Sequence, residues 1–263
     1  MPRNWAWPDV EVAVPPRSSL PPGVRMAGFR QRAATPWDIT MVAHPSVTLL
    51  IDLSEGEGVD YDGAGLRGSA VIGLLPGRLR ATGRARVECL QIRLDPAVAA
   101  AVLGESPELT GRVAPLGAAW EARLRAAASW GERFAVAAAL LERRERTRRV
   151  DPEVAHVWRR TRVSRGRVRV DELAAEVGWS RQRLWSRFRA QLGITPKRAA
   201  QLVRFDRAAH LLAAGHAPAG VAGASGYADQ SHLHREVVAF TGLTPAAVAT
   251  APWLGIDDVA WAP

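Results

Sequence analysis

Two periodicities divide the chain. Between residues 46 and 94, apolar residues form short blocks or alternate, and Gly and Pro interrupt them: SVTLLIDL over 46–53 and SAVIGLLPGRLRATGRARVECLQIRL over 69–94. β-branched runs and period-two alternation closed by turn residues predict short strands. At the end of the second block, Arg86, Glu88, Leu90, Ile92 and Leu94 share one parity, and Val87, Cys89, Gln91 and Arg93 share the other. Because side chains alternate between the faces of a strand, this predicts a half-buried sheet. After Asp95-Pro96 the spacing becomes helical. PAVAAAVLG has a proline at its first helical position and a glycine at its end, the usual start and stop signals. LGAAWEARLRAAAS and GERFAVAAALLERRERTRR follow, with Trp120 and Leu124 on one stripe and Phe134, Ala137, Ala138 and Leu141 on another. Stripes at this spacing predict core positions or an interface between subunits.

The first 40 residues are Pro-rich, carry Trp5, Trp7 and Trp37, and predict an irregular arm. VDPE at 150–153 marks a boundary, beyond which the chain reads as helical. The expected organisation is therefore an arm (1–40), a β-rich domain ending in linking helices (41–150), an all-helical domain (151–250) and a tail (251–263).

The helical domain contains one unit twice. GITP (193–196) and GLTP (242–245) are 49 residues apart, as are Leu184 and Leu233, and the pairs Gly178-Trp179 and Gly226-Tyr227 are 48 apart. Two copies make a duplicated module, not a solenoid. Each copy reads as helix, glycine turn, helix. In the first, Asp171 is the expected cap, Leu173, Ala174 and Val177 face inward, Gly178 ends the helix and Ser180 caps the next. On that second helix Leu184 and Phe188, at i and i+4, form the buried face. Trp185 and Arg189 form another i, i+4 pair and, with Gln182 and Ser186, give a polar outer face. A short helix packed on one side and showing Arg, Gln, Trp and Ser on the other suits the DNA major groove. In the second copy Leu233 and Val237 are the buried pair, and Gln230, Ser231, His234 and Arg235 lie outside. A helix beginning at Thr195-Pro196 and running to residue 214 joins the copies; about 28 Å long at 1.5 Å per residue, it approaches the roughly 34 Å between successive major-groove faces.

These residues resemble the AraC/XylS family of bacterial transcription regulators over roughly 153–250. The resemblance rests on VDELAAEVGWSRQRLWSRFRAQLGITP and VAGASGYADQSHLHREVVAFTGLTP. It implies an α+β chain: a β-rich N-terminal sensor-like domain with linking helices, then an all-α DNA-binding domain of seven helices with two helix-turn-helix units. Carried over residue by residue, it implies that Arg181, Gln182, Trp185 and Ser186 read bases in the first unit, and Gln230, Ser231, His234 and Arg235 in the second. The chain departs from the family where aromatics usually stand at the positions of Leu233 and Val237, and Gly223 falls inside a helix; both predict a softer second unit.

Charge supports this reading. The net charge is +9, and residues 142–169 carry 11 arginines against four acids. A basic concentration suits a polyanion, although a solvated helix face has the same composition. Other chemistries fit poorly. His232 and His234 lie about 200° apart around a helix and diverge, whereas helical zinc motifs use i, i+4. His44 is the only histidine before His156, too few for a cupin-type metal enzyme. The acids of EGEGVDYDGAG (55–65) lack the calcium-loop spacing and read as a solvated hairpin. Cys89 is the single cysteine and reads as a buried small hydrophobe. No apolar run of 18 residues and no secretory h-region are present, so a cytoplasmic chain is expected.

The expected partners are double-stranded DNA, a small-molecule effector, a second copy of the chain and RNA polymerase, with no cofactor, metal, membrane or enzymatic activity. The competing reading is an enzyme or ligand-binding protein carried by residues 40–145, with the helical part as accessory; no paired catalytic residues or phosphate loop support it.

Overall fold

The computed structural model describes residues 10–261 apart from 34, 35, 57, 63, 64, 76–78, 84, 85, 105, 118, 144–149, 252, 253, 255, 256, 258 and 259. Its strands are β1 (Val10–Ala13), β2 (Val24–Gln31), β3 (Trp37–Met41), β4 (Val47–Asp52), β5 (Asp60–Asp62), β6 (Leu66–Arg67), β7 (Ala70–Ile72), β8 (Leu79–Gly83), β9 (Glu88–Leu94) and β10 (Val113–Pro115). They form a six-stranded sheet ordered β1-β2-β9-β4-β7-β10 and a four-stranded sheet ordered β3-β8-β5-β6. The pairings within both sheets are antiparallel.

The larger sheet is covered on both faces. On β9, Leu90, Ile92 and Leu94 join a core shared with helices, while Cys89 points into a second core with residues of the smaller sheet. On β4, Val47, Leu49 and Ile51 take the helix side and Leu50 the inter-sheet side. The parity expected on β9 is thus observed, but its second face meets another sheet, with Gln91 and Arg93 only partly buried. The helices against the first face are α1 (Pro96–Leu103), α2 (Ala119–Arg125) and α3 (Trp130–Arg143). Gly28 on β2 makes room for α3, since a Cβ there would collide with the Trp130 ring.

The irregular arm expected over residues 1–40 is corrected. Residues 1–9, with Trp5 and Trp7, lie outside the described residues, but β1, β2 and most of β3 fall within that span. Strand β2 runs down the interior of the larger sheet, between β1 and β9. It is buried on both faces, so its sequence VRMAGFRQ has no clean polar–apolar alternation to reveal it.

The helical domain consists of α4 (Pro152–Val163), α5 (Val170–Glu176), α6 (Arg181–Leu192), α7 (Pro196–Ala213), α8 (Pro218–Ser225), α9 (Gln230–Thr241) and α10 (Pro245–Ala249). The caps follow the duplication. The Ser180 and Asp229 side chains accept from the third residue beyond them at 3.2 and 2.6 Å, starting α6 and α9. Gly178 and Gly226, at φ 65° and 79°, make the turns inside the two units. That left-handed region costs a residue with a Cβ about 1 kcal/mol or more. Asp171 does not cap α5: the N-cap position is Arg169, and Asp171 sits in the first turn, paired with Arg181 at 2.9 Å.

Asp95 joins the two halves. Its Oδ1 accepts from the Ala97 N–H at the start of α1 (3.0 Å), and its Oδ2 accepts from the Trp158 indole N–H (2.8 Å) and from Arg162 (3.2 Å) on α4. Trp158 is 2% exposed, and one continuous core runs from the helix-facing side of the larger sheet through to α7, α9 and α10.

Candidate nucleic-acid interface

On α6, Leu184 and Phe188 are fully buried, while Arg181, Gln182, Trp185, Ser186 and Arg189 are exposed. Trp185 keeps 46% of its surface in water, one of the few large apolar side chains to do so. The Arg189 guanidinium lies over its ring, 5.2 Å from the centroid, an arrangement that holds a flat aromatic surface beside a cation. Burying Leu184 and Phe188 fixes the rotation of α6, so the opposite face has nowhere to point but solvent.

On α9, Gln230, Ser231, His234 and Arg235 are exposed and Leu233 and Val237 are fully buried. Phe240, one turn beyond Val237, stacks on Phe205 of α7 with centroids 4.6 Å apart, supplying aromatic packing close to where Val237 lacks it. Glu236 is 6% exposed yet well partnered: Tyr227 Oη donates to it at 2.9 Å, Gln201 donates at 3.2 Å, and Arg204 lies 3.6 Å away. His232 meets the Tyr227 ring edge-on at 5.2 Å and approaches Glu236 at 3.9 Å. It therefore belongs to the packed side of α9, and His234 to the open side. The softer second unit expected from Leu233 and Val237 is therefore knitted to α7 by this buried polar network, which the sequence pattern did not reveal.

The basic run is less free than its composition suggests. Residues 144–149 lie outside the described residues. Of the others, Arg160 hydrogen-bonds Glu176 at 2.8 Å and, with His156, holds that carboxyl down to about 2; Arg162 pairs with Asp95 and Arg167 donates to the Ala224 carbonyl. These arginines tie α4 and the following turn to α1, α5 and α8, so part of the run is structural.

A second feature lies between the larger sheet and α7. A cavity of about 120 Å³ is lined by apolar residues including Phe29, Leu50, Val59 and Cys89, and at one end by His44, Arg93, Asp206, His210 and Asp257. Burial pushes the Cys89 thiol far up, consistent with its reading as a small hydrophobe. The His44 Nδ1 atom is buried without a hydrogen-bond partner among the described residues, and burial followed by the Arg93 charge pushes its pKa well down. Sequence reasoning missed this end of the cavity. Arg93 shares a parity with Cys89, but its partner Asp257 is 164 residues away in the chain.

The two glycine-turn units, each with an exposed polar helix on a common scaffold, define a helix-turn-helix DNA-binding protein. A family model described as "Helix-turn-helix domain" matches residues 173–251. This region is of the AraC/XylS type, which makes the chain a DNA-binding regulator of transcription. A comparison with curated proteins found no match. Among solved structures, ToxT from Vibrio cholerae is similar at 12% identity and a TM-score of 0.50, covering 88% of this chain and 98% of that one. ToxT with an unsaturated fatty acid bound gives 8% identity and 0.49, covering 88% and 96%. The C-terminal domain of AraT, a response regulator from Geobacillus stearothermophilus, gives 19% and 0.37, covering 39% of this chain and 87% of that one. The ToxT likeness over both halves is one of fold. No helix among the described residues is long and apolar enough to cross a membrane.

Proposed function

We propose that α6 and α9 enter successive major-groove segments of one DNA duplex and read bases through Arg181, Gln182, Trp185, Ser186 and Arg189, and through Gln230, Ser231, His234 and Arg235. The observation that carries this reading is the exposure of both residue sets on helices whose opposite faces are fully buried. Helix α7, with 18 residues, is about 27 Å long at 1.5 Å per residue. It is the rigid spacer between the two readers. The cavity between sheet and α7 is proposed as the effector site of a non-enzymatic sensor, in a cytoplasmic chain that acts as a homodimer and contacts RNA polymerase. The proposed boundaries remain the sensor at 41–150, now with β1 and β2 added, and the reader at 151–250.

The test is a fluorescence anisotropy titration of a selected operator fragment and an unrelated duplex. Trp185→Ala and Arg235→Ala should each weaken operator binding about 5- to 150-fold, equivalent to roughly 1–3 kcal/mol, and change unrelated-duplex binding far less. Equal losses on both duplexes would remove the base-reading assignment.

A further inference from the structure

The sensor carries a second concave surface, at the other end of β9 from Arg93. There an open cleft is lined, among the described residues, by Arg30, Arg32, Arg86, Arg125 and Arg133 against the two acids Glu55 and Glu88. Glu88 begins β9 and Arg93 stands one residue from its end, so this cleft and the polar end of the cavity beside α7 are roughly 17 Å apart at about 3.4 Å per residue. The arginines come from four places: the end of β2, the segment before β9, helix α2 and helix α3.

Glu88 is already committed. Arg30 donates to its Oε1 through Nε at 2.9 Å and through Nη2 at 2.6 Å, and Arg133 Nη1 donates to the same oxygen. Burial pushes the Glu88 carboxyl up, but the bonds from Arg133 and Arg30 outweigh it and hold it below its usual range. Two cations thus share one carboxylate. Both also lie against the Trp130 ring, 5.6 and 4.8 Å from its centroid, which limits their freedom to leave. Arg133 is 8% exposed, and its Nε is buried with no hydrogen-bond partner among the described residues. Arg86 is exposed and has no ion pair among the described residues.

Five arginines against two acids leave three positive charges in excess on the cleft wall. Glu11, 3.0 Å from Arg32, and Glu121, 3.7 Å from Arg125, stand outside the lining and offset two of them; one cation is still unmatched. A guanidinium presents paired N–H donors in one plane, the geometry that carboxylate and phosphate oxygens accept. The lining also excludes a hydrocarbon body: among its described residues only Leu53 and Val87 are apolar.

We infer that this cleft binds a small polar oxyanion, a phosphate ester or a polycarboxylate. Arg32, Arg86 and Arg133 donate to it, and Glu88 is the fixed counter-charge that holds Arg30 and Arg133 in place. Arg125 ties α2 to the same wall by donating to the Asp52 carbonyl at 3.1 Å. Since Arg133 stands on α3 and Arg32 and Arg86 belong to the sheet, the bound oxyanion draws a linking helix onto the sheet. The assignment is independent of the reading of the cavity beside α7.

The experiment is calorimetric titration of sodium phosphate and of sodium citrate into the full chain, with ionic strength held constant by sodium chloride. The same titrations are made on Arg86→Gln, Arg32→Gln and, as a control on the exposed face of α6, Arg181→Gln; thermal unfolding verifies that each is folded. One ion should bind per chain and raise the unfolding midpoint. Arg86→Gln and Arg32→Gln should each weaken it about tenfold or more, the effect of losing one charge-assisted hydrogen bond, and Arg181→Gln should leave it unchanged. Tighter binding of phosphate or of citrate identifies which oxyanion the cleft takes. The inference is overturned if neither ion binds, if Arg86→Gln and Arg32→Gln bind as the wild type does, or if Arg181→Gln loses as much as they do, which would put the ion on the DNA-reading face. Should one cleft variant not fold, the other decides alone.

Discussion

Asp95 shows how much one side chain can connect. Its carboxylate caps α1, satisfies the indole N–H of a buried tryptophan and pairs with Arg162. Losing an N-cap costs roughly 1 kcal/mol, and leaving a buried donor without a partner costs about 1–3 kcal/mol more. Asp95→Ala should therefore destabilise the chain by about 2–4 kcal/mol, and Trp158→Phe, which removes the donor as well, should recover part of that loss when added to it. Urea unfolding of the single and double variants checks this; a single-variant loss below about 0.5 kcal/mol would show that the three contacts are incidental. The start of α1 was legible in the sequence because Asp95-Pro96 and the helix it precedes are neighbours in the chain. The Trp158 contact was not, because it joins residues 63 positions apart.

At the scale of elements, the reader domain was legible almost throughout and the sensor only in part. Helices α6, α7 and α9 announce themselves through local signals: a cap, a 3.6-residue apolar stripe, a terminal glycine. Duplication then supplied an internal control, because Leu184 and Leu233 fall at matching places. Strand β2 gave no such signal, since burial on both faces removes the alternation by which a strand is recognised. Helix α8 tests the opposite limit. Gly223 lies within it, and a Cβ built there meets nothing within 4 Å. No packing reason requires glycine, so Gly223→Ala should stabilise the second unit by about 0.5–1 kcal/mol through helix propensity. A shift of the unfolding midpoint to higher denaturant confirms it. Destabilisation would mean that the position serves a close approach seen only on DNA, and operator binding by the same variant would distinguish the two.

For the whole molecule, the polar end of the cavity sets a pH window for docking the sensor on the reader. His210 Nδ1–H donates to the Asp206 carbonyl at 2.8 Å, leaving Nε2 to face Asp257. Burial pushes the His210 pKa down, but the pairing with Asp257 and the charge of Asp206 outweigh it and raise the value from 6.5 to about 9. Burial likewise pushes Asp257 up, and Arg93 with His210 reverses that, holding its carboxyl well below the usual range. Arg93, Arg25 and Asp206 complete the charged surroundings, with His44 beside them held neutral by burial. A base whose pKa is higher when folded binds its proton more tightly in the native state. The stabilisation is therefore complete below 6.5 and disappears as pH rises through about 9. Asp257 works in the opposite sense, contributing above its ordinary value of 3.8 and losing that contribution in acid. Docking through this bridge should thus be strongest between these limits and weaken toward alkaline pH. Unfolding of the wild type and His210→Gln at intervals from mildly acidic to alkaline pH measures it: the stability difference between them should shrink steadily across 6.5 to 9. A difference that does not change with pH would mean that His210 carries no proton in the native bridge, and Arg93 would then pair with the Asp257 carboxylate without its help.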